Sequence, residues 1–298
     1  MLQRILPPNR KPLWADLGLF YAAAIWGSTF YLVKDALQGI DPVVMVAWRF
    51  LLAGAILLIY LLIRRRPIHR GIGRAALLAL FLGLLYITQT IGLKFTTASN
   101  SGFITGLFVA FVPIFLLTIF KRRPTLMETI ASAVALAGLW ILTGGLKGAN
   151  AGDMLTLVAA MMYALHLLLS DKYMKAGVDP LVISCQQFLL VGLMSLAYAT
   201  VFRLPLTTIS AASLRAVIFL ALFPSLSAFV IQMLAQKLTS PLRVSMIFAL
   251  EPVFAGIFAW TLGGESVTSR GIIGGMIIFT ALILSGLPVK ARPASRNK

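Results

Sequence analysis

The chain has 298 residues, 59% of them hydrophobic and 12% charged, with a mean hydropathy of +0.93 and a formal net charge of +17. A soluble domain carries about 25% charged residues, and a chain this short cannot hide so much apolar surface from water, so the solvent is lipid and no separate soluble domain is expected. A lone cysteine, Cys185, excludes an internal disulfide framework, and with only His69 and His166 as histidines no metal centre or cofactor is implied.

Apolar runs follow in chain order at 15–34, 42–63, 74–95, 99–120, 125–144, 153–171, 180–202, 211–236, 241–262 and 268–288. Each is close to the roughly 20 residues that a helix needs to cross a bilayer. The first is too long for the h-region of a secretory signal and ends without a clear A-x-A site, so it reads as an uncleaved span. Asp41-Pro42, Arg66-Pro67, Asp179-Pro180, Arg203-Leu204-Pro205 and Ser240-Pro241 mark boundaries where proline starts or stops helices. The predicted organisation is a tail at 1–14, a first five-helix half at 15–145, a second at 150–288 and a tail at 289–298.

The basic residues sit in short connections such as Arg64-Arg65-Arg66 and Lys121-Arg122-Arg123. Of the 26 Lys and Arg, 19 fall on one side of the predicted layer, six on the other, and Arg49 within a span. That bias places both termini in the cytoplasm of a bacterial-type inner membrane, with anionic lipid against the basic side. Nucleic acid is not an expected partner, because no basic folded face with polar or aromatic readers exists.

The halves repeat. Lys34, Asp41-Pro42-Val43-Val44 and Phe50 return at one constant offset as Lys172, Asp179-Pro180-Leu181-Val182 and Phe188. Phe111-Val112-Pro113-Ile114-Phe115 faces Leu250-Glu251-Pro252-Val253-Phe254 at an offset one position longer, although the stretch after Pro113 is about one helical turn the shorter. Five spans per half is an odd number, so the second copy lies upside down. Inverted halves are the recurring architecture of alternating-access carriers, with substrate near the midplane.

Three stretches carry a family likeness: Ala24-Ile25-Trp26-Gly27-Ser28 followed by Lys34, Ala47-Trp48-Arg49-Phe50, and Leu250-Glu251-Pro252-Val253-Phe254 with Gly264-Glu265 and Gly271 after it. In their order and spacing the chain resembles the EamA-type branch of the drug/metabolite transporter superfamily over 15–288, and within it YddG-type amino-acid exporters. The resemblance implies an all-α membrane protein of ten helices, with helices one to four and six to nine around a central cavity and helices five and ten peripheral. It implies export of amino acids or similar small metabolites without chemical conversion, the alternative being proton antiport of drugs or other metabolites. Arg122-Arg123-Pro124 stands where many relatives keep a glycine–glutamate pair, so any role of that acid rests here on Glu265.

Polar groups within a span are costly and so are candidate site residues. Glu251, the carboxylate well inside a span, can hold a substrate ammonium, carry a proton, or serve the backbone gap left by Pro252. Trp26, Tyr86 and Tyr163 are candidate aromatic walls, Trp26 and Tyr163 being near-equivalent in the repeat. Gln89, Gln186, Gln187 and Gln232 are expected to face the interior as interhelical bonds or substrate partners. His166 reads first as a hydrogen-bonding packer and second as cavity wall. Asn100 opens span four as an anion-facing end or an ordinary cap. Arg49 reads as a structural polar group, the alternative being a carboxylate holder. Pro113 and Pro252 are paired candidate hinges. Gly271 and Gly275 permit close contact of span ten, within the monomer in preference to a homodimer through helices five and ten. An intramembrane enzyme is not expected: no His-rich metal set exists, Ser170 beside His166 has no nucleophile-elbow setting, and an aspartyl dyad would need a second embedded acid. A non-transporting scaffold would have no need of inverted halves.

Overall fold

A computed structural model describes residues 11–145, 150–207, 210–261 and 267–285. Gly264, Glu265, Lys147 and most of the two predicted tails lie outside the described residues. Eight helical stretches are long and apolar enough to cross a bilayer: Leu13–Ala36, Pro42–Ile63, Ile72–Gly92, Asn100–Thr118, Ala151–Lys175, Pro180–Val201, Ala211–Gln236 and Pro241–Phe258. Two shorter apolar helices, Leu126–Leu142 and Ser269–Ser285, take the fifth and tenth places. The fold is therefore all-helical with ten spans, each near its expected place, the first starting earlier, at Lys11.

The helix ends have local causes. Asp41 Oδ1 accepts from the Val43 amide at 2.8 Å, and Asp179 Oδ1 accepts from Leu181 at 2.9 Å, each ahead of a proline that opens the helix. Thr125 with Glu128 and Asn150 with Asp153 close reciprocal capping boxes on spans five and six. Gln186 donates to the carbonyls of Ile68 and Arg70, tying span seven to the connection between spans two and three. Near the opposite membrane face, Lys34 donates to the Thr96 carbonyl and the Thr96 hydroxyl to the Asp153 carboxylate.

Neighbour relations obey an exchange of spans one to five for spans six to ten. The contact of three with six maps onto that of eight with one, three with seven onto eight with two, and four with six onto nine with one. Two with seven, four with nine and five with ten map onto themselves. Glycines show the same relation at atomic scale. A Cβ on Gly54 would stand 2.8 Å from the Leu189 side chain, and one on Gly192 would stand 2.7 Å from that of Leu51. Those two pairs are each other's counterparts at the offset that relates Asp41 to Asp179, and they let spans two and seven approach closely. Spans five and ten pack together at the periphery, where a Cβ on Gly274 would fall 2.4 Å from the Leu142 backbone nitrogen. Gly271 lies under the Trp260 ring, and Gly275 faces Val253, so both glycines meet surfaces of their own chain.

The halves are not identical. Pro42 and Pro180 open spans two and seven at the repeat's own offset, but Ala98 and Pro241 open the helices of spans four and nine five positions further apart. The difference accumulates in span eight, 26 residues long against 21 for span three. There Ala221–Ala228 is wound as a π-helix around Pro224, the form an inserted stretch takes inside an α-helix. Spans one, four and nine are interrupted: at Ser28, at Leu107 and at Ala249-Leu250. The breaks in four and nine are counterparts at this wider offset, so Pro113 and Pro252 are not. Pro252 follows its break directly, whereas Pro113 lies inside the continuous helix Phe108–Thr118.

Candidate functional site

The three interruptions converge. A Cβ on Gly27, at the end of the first helix of span one, would come within 2.6 Å of the Glu251 carbonyl oxygen, and one on Gly106 within 3.5 Å of the Pro252 ring. These local turns, at which the backbone stays in the right-handed helical region, thus bring Trp26, Glu251 and the middle of span four around one point.

The gap there is narrow, with about 20 Å³ of free volume, and is lined by Trp26, Thr29, Leu85, Tyr86, Gln89, Thr105, Tyr163, Phe229 and Glu251. The lining comes from spans one, three, four, six, eight and nine, with nothing from five or ten. Its walls are aromatic. The Trp26 ring lies 5.0 Å from Phe229, 4.8 Å from Phe248 and 6.2 Å from Tyr163, centroid to centroid. Tyr163 stacks on Phe108 at 4.4 Å, and Tyr86 stands 6.0 Å from Phe229. Trp26 is fixed by donating its indole N–H to the Pro224 carbonyl at 2.8 Å, inside the π-helical stretch.

Polar groups are few and placed. Gln89 donates its amide to the Thr105 hydroxyl at 2.8 Å, which leaves its carbonyl end for another partner. Glu251 is 6% exposed, and its Oε2 and the Tyr163 hydroxyl have no hydrogen-bond partner among the described residues. A buried carboxylate without a partner is costly unless it is protonated or meets a cation. Aromatic faces around it add attraction for an ammonium group. The groups present therefore suit a proton or an ammonium group, with a hydrophobic body against the rings once the walls part to admit it.

Among the sequence candidates, Trp26, Tyr86, Gln89, Tyr163 and Glu251 meet in this space. Asn100 does not: it lies at the start of span four, where its backbone N–H donates to the Thr97 hydroxyl. His166, Gln187 and Gln232 are fully buried outside the lining, His166 Nε2 and Gln187 Oε1 sharing a hydrogen bond of 2.9 Å. Arg49 stands behind Tyr86, its guanidinium carbon 4.3 Å from the ring centroid and its Nε donating to Ser225 Oγ at 2.6 Å. Its charge faces no carboxylate within ion-pair distance among the described residues. Thr29, Leu85, Thr105 and Phe229 complete the lining without having been singled out in the sequence. Thr29 and Thr105 carried a weak signal as hydroxyls inside spans, whereas Phe229 is one apolar residue among many.

Comparison with known proteins agrees with this architecture. The model of the EamA-like transporter family matches twice, at residues 13–144 and 150–287. A protein of Archaeoglobus fulgidus, named only as an uncharacterized transporter, is 31% identical over 283 residues, 94% of this chain and 88% of its own. The uncharacterized inner membrane transporter YedA of Escherichia coli K12 is 28% identical over 92% of this chain and 90% of its own. Protein PecM of Dickeya dadantii is 24% identical over 89% of this chain and 90% of its own. A solved crystal structure superposes with a TM-score of 0.77 at 18% identity, covering 91% of this chain and 96% of that one, which is a likeness of fold.

Proposed function

We propose, for a chain that belongs to the EamA-like transporter family, that this membrane transporter exports amino acids or similar small metabolites by alternating access. The supporting observation is the partnerless Glu251 carboxylate within an aromatic wall, at the meeting point of locally kinked spans from both halves. Glu251 receives the substrate ammonium, Trp26, Tyr86 and Tyr163 enclose the apolar part, and Gln89 with Thr105 meets the remaining polar end. The inverted halves support exchange of access, since two related bundles have two related arrangements of similar energy. Lys and Arg asymmetry supports cytoplasmic termini in an inner membrane.

A second reading has one observation in its favour. The site has a single embedded acid and no facing cation among the described residues, an arrangement that suits exchange of a proton for a lipophilic amine. Counterflow of labelled amino acids by purified protein in liposomes, with and without an imposed pH gradient, separates the two. Saturable exchange that Glu251→Gln abolishes in a still-folded protein supports the first reading. Silence across the amino-acid panel together with gradient-driven movement of amines selects the second.

A further inference from the structure

The polar candidates that missed the cavity form a second group with a position of its own. Span six contributes His166 and, one turn on, Ser170; span seven contributes Gln187 and Ser184; span eight contributes Gln232 and Gln236. All six are 0% exposed. His166 Nδ1, Gln187 Nε2, both amide atoms of Gln232, Gln236 Oε1 and the two serine hydroxyls have no hydrogen-bond partner among the described residues. Gln236 donates to the Leu167 carbonyl at 3.0 Å, which sets this face of span eight against span six. Gln232, one turn earlier on the same face, therefore points into the seam of spans six and seven. So many unmet polar atoms would be a heavy cost in a seam that stayed closed.

Phe229 stands between this group and the cavity. Phe229 lines the cavity beside Trp26 and Tyr86, while its other side meets His166 at 6.0 Å and Phe188 at 5.9 Å. It stands at the first residue after the π-helical stretch, at the head of the short helix Phe229–Gln236. A π turn holds extra register that an α-helix can absorb or release. Moving one residue through it rotates the following helix by about 100°. That rotation would carry Phe229 off the cavity and sweep Gln232 toward it. The stretch is held in its present form by Trp26 on Pro224, from the cavity wall, and by Arg49 on Ser225, from span two. Span three, the counterpart of span eight, is shorter and has no π stretch, so the device belongs to one half alone.

We propose that Phe229 is the gate on the membrane face bearing Arg64–Arg66, and that His166, Gln187 and Gln232 line the hydrated vestibule opened when it turns aside. The vestibule group presents amides, an imidazole and hydroxyls without a carboxylate, so it suits water and the neutral or carboxylate end of a passing zwitterion. This deepens the carrier reading and rests on it, but its test needs no known substrate.

In a Cys185→Ala background, Gln232→Cys is treated with a membrane-impermeant methanethiosulfonate added to either face of proteoliposomes. Arg64→Cys, on an exposed connection, assigns the face. Val217→Cys, 4% exposed in the opposite half of span eight, reports general loosening. The expected result is reaction of Gln232→Cys from the Arg64 face alone, made faster by about tenfold or more when Phe229→Ala is added, with Val217→Cys still protected. Phe229→Leu, which keeps an apolar group there, gives a smaller increase. No reaction of Gln232→Cys from that face in any background, an unchanged rate on removing the ring, or equal reaction from the opposite face would overturn the proposal. Failure of amino-acid counterflow would instead remove the substrate assignment and leave this result standing.

Discussion

Gly27→Ala is the smallest change that separates site geometry from general packing. The added Cβ would fall 2.6 Å from the Glu251 carbonyl oxygen, 2.7 Å from the Phe254 Cβ and 2.9 Å from the Ala255 nitrogen, against ordinary contact from 3.4 Å. The worst contact is thus short by about 0.8 Å, and two of the three atoms are backbone, which has no rotamer to yield. Overpacking of this kind costs about 1–3 kcal/mol. Spans one and nine must part by a comparable distance, and that moves Trp26 relative to Glu251 by more than the ~0.5 Å a preorganised site tolerates. Gly83→Ala in span three is the control, since its Cβ would meet nothing closer than the Val191 side chain at 3.8 Å, an ordinary contact. Exchange in proteoliposomes should fall about tenfold or more for Gly27→Ala, because about 1.4 kcal/mol of lost binding is a factor of ten. Thermal unfolding in detergent should report the modest cost for Gly27→Ala and little for Gly83→Ala. Equal exchange by the two variants would refute the claim that the close approach of spans one and nine sets the site.

Other residues give independent readouts. Glu251→Gln should abolish substrate exchange while shifting the unfolding temperature little, because the amide keeps the volume and removes a buried charge site; full flux with unchanged pH dependence would remove Glu251 from both substrate and proton roles. Gln187→Leu should cost about 1–3 kcal/mol by leaving His166 without its 2.9 Å partner, and adding His166→Phe should recover part of that loss in a double-mutant cycle. Arg243 donates to Asp16, to the Leu282 carbonyl and to Ser285. Arg243→Met should therefore destabilise more than Asp16→Asn, whose quarter-exposed ion pair is worth at most about 1 kcal/mol; the reverse order would show that the ion pair dominates. Trp26→Phe keeps a ring in the wall but releases Pro224, so it should speed labelling of Gln232→Cys even without Phe229→Ala.

Span positions were legible because lipid imposes a length, and because Asp-Pro boundaries cap helices by local rules that hold without tertiary help. Asp41 and Asp179 do in the structure what their spacing from proline suggests. The wall of Trp26, Tyr86 and Tyr163 with Glu251 was legible for a related reason: polar and amphipathic groups inside a span must face one another. The pairing of Pro113 with Pro252 misled, because a match between two short, mostly apolar stretches carries little information, and the register between halves widens by five positions within span eight. Adjacent amides divided in a way no pattern distinguishes, Gln186 turning to the Ile68 carbonyl and Gln187 to His166. Phe229 could not be found beforehand, since its importance lies in what stands on either side of it.

On the alternating-access reading proposed above, the departures from symmetry bear on which arrangement is favoured at rest. Two equal halves would give two arrangements of equal energy, and a carrier needs only a small bias between them. Span one is broken at Ser28 while its counterpart, span six, runs unbroken from Ala151 to Lys175; span eight holds the π turn that span three lacks. Both asymmetric elements meet at Trp26, which lies in the last turn of the first helix of span one and donates to Pro224 in the π turn. A substrate bound against the Trp26 ring as proposed would therefore act on the two features that distinguish the halves. Such a ligand shifts the equilibrium only by its differential affinity for the two arrangements, and the indole bond to Pro224 is where that difference can be made.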